Sequence, residues 1–258
     1  MDKKYFFFDI DGTLTNYDTG VVVPSALETI RELEKNGHFV AIATGRQHYK
    51  ARYITDKIGV KNIVCSGGGC LVIDGTIVED KPLPLEKSKE ILEHAEKDNV
   101  GYLVMVDDSP KVLMKDIKFI QQAGRRKEVT TYDLDENFDF HDLDKIYKMY
   151  LAIKEKDLPN YPWVDILPHM QIQPNYFLYQ YDSKNDGIKR MLKHVGGDID
   201  DVVVFGDGIN DVVMFDEKWF SVAMGNAPQE LKEKADYITD TSVNDGIYKA
   251  CKKFGWID

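Results

Sequence analysis

A chain of 258 residues, 43% hydrophobic and 30% charged, has room for a sizeable core in one large domain or two smaller ones. Its formal charge of −11, from 33 basic and 44 acidic residues, argues against a general binder of nucleic acid or anionic membranes, which needs a net basic face. No uncharged apolar stretch is long enough to span a bilayer, and "KKYFFF" runs into Asp9 too soon to be a signal-peptide core.

In chain order, the first predicted element is a buried strand ending in "YFFFDIDGT". A helix follows over residues 24–35, with Leu27, Ile30 and Leu33 at helical spacing, Pro24 in its first turn and Gly37 at its stop. "FVAIA" is a second strand that ends at "TGR". A helix over residues 47–58 and a strand "NIVCS" come next. Strand–helix–strand alternation without tight turns predicts a parallel sheet. Asp74-Gly75 in "LVIDGTIVED" signals a hairpin, and "KPLPLEKS" reads as a linker.

The stretch 83–181 has another rhythm. A helix is predicted over residues 86–97, then strands "GYLVMVD" and "KVLMKD", an irregular "TTYDLDENFDFHD", and strands "KMYLAI", "MQIQ" and "YFLYQY". This reads as an α+β insert with an antiparallel sheet. After "DSKND" the alternation returns: a helix over 185–194, the strand "DVVVFGD", a helix containing "NDVVMF", the strand "FSVAM", a helix over 228–234 and a last strand "YIT". The expected architecture is α/β: a doubly wound, parallel-sheet, Rossmann-like core from residues 1–82 and 182–258, with an inserted α+β domain at 83–181. Cys65, Cys70 and Cys251 form no Cys-x-x-Cys pair, so reduced thiols in a cytoplasmic protein are expected.

Ligands of open parallel sheets sit beyond the carboxyl ends of the strands. Three predicted strands end in suitable residues: Asp9-x-Asp11, Thr44-Gly45-Arg46, and Asp207 with Asp211 close behind. On this reading Asp9, Asp11 and Asp207 meet in one cleft. Three carboxylates there repel and keep their protons unless a cation is present. An oxygen-only set without His or Cys suits Mg²⁺. Thr44, Arg46 and Lys184 add what a phosphoryl group wants, a hydroxyl and fixed cations. The Gly12-Thr13 turn offers backbone N–H groups. This inventory is sufficient for phosphoryl transfer, which is mostly positioning and electrostatics. Asp9 would attack phosphorus and form an aspartyl-phosphate. Asp11 would protonate the leaving oxygen and then activate water.

"DIDGT", "ATGR", the lysine of "DSKNDGI" and "GDGIND" resemble, in order, the four motifs of the haloacid dehalogenase superfamily of phosphatases. The tail "SVAMGNAPQELKEKADYITDTSVNDGI" is similar to the Cof-type branch, whose members carry a large α/β cap after the third core strand. The resemblance implies that Asp9 is nucleophile and magnesium ligand, and that Asp11 is acid/base and binds the metal through its backbone carbonyl. It implies that Thr44 and Lys184 bind phosphate, that Asp207 is a magnesium ligand, and that Asp211 supports it. Gly45, Arg46 and Asn210 sit where family members contact phosphate or orient the site, and Asn226 lies near the cleft. There are departures. Cof-type chains usually carry Asn-Gly where this chain has Gly68-Gly69, which removes a side chain from a substrate contact and, with Gly67, is expected to loosen the cap hinge. Asn185 follows the motif lysine where Gly is usual.

The implied function is a cytoplasmic, Mg²⁺-dependent phosphomonoester hydrolase for a sugar phosphate or another small phosphorylated metabolite, without nucleic-acid or membrane partners. A phosphomutase on the same scaffold and a non-catalytic phosphometabolite sensor stand as alternatives. Plainer roles exist for single residues: Asp9 and Asp11 as turn residues, Thr44 as a helix cap, Lys184 as a solvated lysine, Asp211 as a helix N-terminal charge. In the insert, Lys111, Lys115, Lys118, Arg125, Arg126 and Lys127 read as a solvated basic face.

Overall fold

The computed structural model describes residues 2–258. Strand β1 (Tyr5–Phe8) carries the aromatic run, and all four rings are buried. Successive side chains of a strand point to opposite faces. Phe6 and Phe8 therefore enter one apolar cluster, while Tyr5 and Phe7 enter another. Each fully buried phenylalanine contributes about 1.5–3 kcal/mol, so this strand anchors both layers of the core. Helix α1 (Pro24–Lys35), strand β2 (Phe39–Ala43), helix α2 (His48–Ile58) and strand β3 (Ile63–Cys65) follow. Strands β4 (Cys70–Ile73) and β5 (Thr76–Asp80) form the hairpin that Asp74-Gly75 signals.

Contacts divide the chain into two compact units: the residues up to Asp80 with Asp182–Asp258, and Lys81–Tyr181. The second unit holds helix α3 (Leu85–Lys97), strands β6 (Tyr102–Met105) and β7 (Lys111–Met114), helix α4 (Lys118–Ala123), and strands β8 (Thr131–Leu134), β9 (Lys148–Leu151), β10 (Met170–Gln173) and β11 (Tyr176–Tyr179). Its six-stranded sheet runs β10-β11-β9-β6-β7-β8. One face packs on α3 through Ile91, Leu92, Val104, Met149, Leu151 and Phe177. The sheet is not antiparallel throughout: β7 and β8 pair in parallel, because α4 carries the chain back before β8. Arg126 is buried and not part of a solvated face. Its guanidinium lies 4.0 Å from the Tyr150 ring centre and binds Glu128 and Thr130 at 2.9 and 3.1 Å.

The first unit resumes with helix α5 (Lys184–Val195), strand β12 (Val202–Gly206), strand β13 (Phe220–Ala223), helix α6 (Gln229–Lys234), strand β14 (Tyr237–Ile238) and helix α7 (Gly246–Lys253). The segment containing "NDVVMF" is a 3-10 turn, Ile209–Met214, and not an α-helix. The sheet order is β14-β13-β12-β1-β2-β3-β4-β5, parallel as far as β3. Helices α1, α2 and α7 cover one face, α5 and α6 the other, which gives the doubly wound α/β core. Tyr5 stands opposite both Val202 and Phe39, so the carboxyl ends of β1, β2 and β12 are neighbours. The chain leaves β1 in one direction toward β3 and in the other from β12 toward β14. That reversal is where open α/β sheets bind ligands.

Candidate active site

Asp9 closes β1, and its N–H donates to the Phe205 carbonyl at 3.0 Å, which fixes the end of β1 to β12. The next residues, Ile10–Leu14, make a tight turn that departs from helical geometry at Asp11 and Gly12. Gly12 has φ +80°, and a Cβ on it would overlap the Asp207 carboxylate. Only glycine permits both the conformation and the approach. Asp207 is then held by both oxygens. Thr13 Oγ1 donates to Oδ1 at 3.1 Å, and Asn226 Nδ2 donates to Oδ2 at 2.9 Å. The same Asn226 amide donates to the Gly12 carbonyl at 3.1 Å.

Asp211 is fully buried. Its Oδ2 accepts the N–H groups of Asp207 and Gly208, both at 2.9 Å, and its Oδ1 accepts from Lys184 Nζ at 2.6 Å. Lys184, the first residue of α5, is 1% exposed and also donates to Asp9 Oδ1 at 2.8 Å. A solvated lysine and a simple helix charge are thus excluded for these two residues. The start of α5 comes this close because of the turn Ser66–Gly68. Ser183 N–H donates to the Gly67 carbonyl at 2.8 Å, and a Cβ on Gly68, at φ +97°, would strike the Ser183 carbonyl. Arg190 donates to the Gly68 carbonyl as well. Gly68, one of the three glycines expected to loosen a hinge, is a close-packed seat for α5.

Thr44 follows β2 directly and is buried; its Oγ1 accepts the Arg46 N–H at 3.1 Å, so it braces its own loop, and α2 begins later, after Gln47. Gly45 is half-buried beside it, and Asn210 is exposed on its 3-10 turn. Arg46 grips Asp11 by both oxygens, Nε to Oδ2 at 3.0 Å and Nη2 to Oδ1. The Asp11 side chain is 55% exposed. The carboxylates with oxygens within 4.8 Å of one another are Asp9, Asp207 and Asp211, so Asp211 replaces the Asp11 carboxylate in the expected trio. The available signal is the acidic residue three positions after Gly208, where a carboxylate can turn back onto the N–H groups at the start of the turn, as Asp211 does with those of Asp207 and Gly208. The Thr13 hydroxyl and the double grip of Asn226 have no comparable mark in a single sequence.

Burial pushes the Asp9 carboxyl up to about 8, the charge of Asp211 adds to the rise, and Lys184 opposes it. Burial, then Asp211, pushes Asp207 up to about 7 against the Thr13 hydrogen bond. Burial also works against the ammonium of Lys184, but Asp211 and Asp9 outweigh it and hold that group above its ordinary range. One lysine does not balance three buried carboxylates. Their oxygens, without His or Cys, are the donor chemistry of a hard divalent cation, and such an ion fits. The sign of the consequence is definite. In the unfolded chain both carboxyls ionise near 3.8; in the folded protein in chelator they keep their protons to about 8 and about 7. Within that window the folded state binds more protons, so stability falls as pH rises and the loss is complete above about 8. Thermal melts should therefore show a larger rise in Tm on adding Mg²⁺ at pH 8.5 than at pH 5.5. An equal rise at both values contradicts this electrostatic picture.

A family model described as haloacid dehalogenase-like hydrolase matches residues 6–251. The chain belongs to the haloacid dehalogenase-like hydrolases. Among relatives, it is 31% identical over 259 residues to YkrA of Bacillus subtilis, a protein named as a phosphatase, covering 99% of both chains. It is 26% identical over 258 residues to YcsE of the same organism, named a 5-amino-6-(5-phospho-D-ribitylamino)uracil phosphatase, covering 98% of this chain and 96% of that one. A crystal structure of a hypothetical protein from Geobacillus kaustophilus superposes with a TM-score of 0.85 at 27% identity, over 99% of this chain and 100% of the other. This haloacid dehalogenase-like hydrolase is a phosphatase, in line with the names of its relatives. That stands against the phosphomutase and sensor readings. No helix among the described residues is long and apolar enough to cross a membrane.

Proposed function

We propose that the protein is a Mg²⁺-dependent phosphomonoester hydrolase that works through a phosphoryl group carried on Asp9. The observation that carries this reading is the buried lysine between two carboxylates, Lys184 to Asp9 and Asp211, beside a third, Asp207, at the sheet's reversal point. Asp9, Asp207 and the Asp11 backbone carbonyl would hold the metal, with Asp211 orienting the loop. When bound, the ion supplies positive charge against the three carboxylates and the phosphoryl oxygens.

The chain's own groups do the rest. Asp9 attacks phosphorus as the ester P–O bond breaks, and Asp11 gives its proton to the leaving oxygen. Water then attacks phosphorus, its proton goes to Asp11, and the bond to Asp9 breaks to release phosphate. Lys184 keeps Asp9 oriented through both steps and, with Thr44 and the N–H groups of the first-motif turn, is assigned to the phosphoryl oxygens, with Gly45 and Asn210 in lesser contacts. The inserted unit is assigned the choice of leaving group. A sugar phosphate or a similar small phosphorylated metabolite is the substrate class, supported by the phosphorylated ribityl compound in the name of YcsE. The absence of a Cys-x-x-Cys pair among the three cysteines supports a reducing, cytoplasmic setting.

The test is release of phosphate from p-nitrophenyl phosphate with Mg²⁺. Turnover is expected, and excess chelator should abolish it until Mg²⁺ is restored. Undiminished release in chelator would overturn the metal assignment. A panel of phosphorylated metabolites assayed the same way would identify the preferred leaving group.

A further inference from the structure

The assignment of Arg46 to the phosphoryl group does not agree with where its guanidinium is committed. Nε and Nη2 together form the edge that chelates a carboxylate or a phosphate by two parallel bonds, and that edge is taken by Asp11. One edge cannot chelate two anions. The two partners also differ in how firmly they are held. Arg46 is fixed at both ends of its peptide unit: its N–H donates to Thr44 Oγ1 at 3.1 Å, and its carbonyl accepts the Ser66 N–H at 2.7 Å. Its side chain is 20% exposed, against 55% for Asp11. Asp11 sits in the non-helical part of the first-motif turn, at φ −76° and ψ 114°, and stands apart from the carboxylate cluster. The anchored arginine therefore sets the direction of the looser aspartate.

We propose that Arg46 is the positioning residue of the acid/base: it acts on the reaction through Asp11 and does not bind the phosphoryl group. This rests on the reading of Asp11 as the group that protonates the leaving oxygen. Phosphoryl charge is left to Lys184, the backbone N–H groups of the first-motif turn and the metal. The bidentate grip fixes the plane and the distance of the Asp11 carboxylate in its ionised form, the form that takes the proton of water; when Asp11 carries the proton for the leaving oxygen, one oxygen leaves the fork and the other stays on Arg46.

The experiment compares two esters of nearly equal shape, p-nitrophenyl phosphate and phenyl phosphate. Phenol, with a pKa of about 10, is the poorer leaving group and depends more on a proton donor. The readout is kcat/KM, which reports the step that breaks the ester. Orthovanadate inhibition reports phosphoryl binding apart from proton transfer. Arg46→Ala is expected to lower kcat/KM for phenyl phosphate by about 10-fold or more and for the nitrophenyl ester clearly less. The inhibition constant for vanadate should change by less than about twofold, since no phosphoryl contact is lost. Arg46→Lys, which keeps the charge but not the fork, should recover part of the loss. In an Asp11→Asn background, Arg46→Ala should have no further effect on either ester.

Equal losses on both esters together with weakened vanadate inhibition would overturn the proposal and return Arg46 to the phosphoryl group. An Arg46→Ala loss that persists undiminished in the Asp11→Asn background would overturn it as well. Asp11→Asn retaining full kcat/KM on phenyl phosphate is a separate result: it would sink the acid/base reading itself. Melting curves of each variant exclude unfolding as the source of a loss.

Discussion

Asp9→Asn should lose turnover on the order of 10⁴-fold or more while the protein becomes no less stable in chelator, and more stable at alkaline pH. The first half follows from removing the proposed nucleophile, for which no neighbouring group substitutes. The second follows from electrostatics. Asp9 is 5% exposed and its carboxyl is pushed up to about 8, chiefly by burial and then by Asp211. The folded state therefore holds a charge there against its preference above that value. An asparagine has the same shape, and its carbonyl oxygen can still accept from Lys184, which now faces Asp211 as its remaining carboxylate partner. The neutral residue removes one of two like charges on the lysine. Activity and stability should move in opposite directions, the pattern of a site built for chemistry. The variant should also lose part of the Mg²⁺-dependent rise in Tm. A variant less stable than wild type in chelator at pH 8.5 would show that the Asp9–Lys184 bond outweighs the crowding of carboxylates.

Lys184→Met should have the largest effect on stability. Lys184 is 1% exposed and donates to Asp9 at 2.8 Å and to Asp211 at 2.6 Å. Taking away one partner of a buried ion pair leaves an uncompensated charge and costs about 3–5 kcal/mol. Methionine preserves most of the stem's packing, so the loss reports charge and not volume. Chemical denaturation should show it directly. A second change, Asp211→Asn, should recover part of the loss in Lys184→Met, because it removes one of the two orphaned carboxylates. Catalysis should not return in the double variant, since the orientation of Asp9 is lost. A single variant within about 0.5 kcal/mol of wild type, a change ordinary for an exposed site, would mean that the buried cation does not hold these residues together.

Much of this site is legible in the sequence. The four aromatic residues ahead of Asp9 mark a strand buried on both faces, and the ends of three such strands carry the polar residues that converge. What failed to show were directions and short elements. The direction of the Asp11 carboxylate depends on the dihedral angles of one turn and on an arginine 35 positions away. The parallel pairing of β7 with β8 depends on α4, a six-residue helix too short to mark itself by periodicity. The elements expected from the sequence end at the strand "YIT", before helix α7, although Ile247, Ala250 and Cys251 are buried on one side of that helix. The glycines at 67–69 predict slack, because flexibility is glycine's general property. Here Gly68 is required by a close approach of backbone that no local pattern announces.

The most direct measurement is an acid quench during steady turnover of p-nitrophenyl phosphate, followed by peptide mapping for a phosphorylated residue. Phosphate attached to Asp9, and absent from the Asp9→Asn variant, is the expected result. A phosphorylated residue elsewhere in the chain, or turnover at the wild-type rate by Asp9→Asn, would contradict the account.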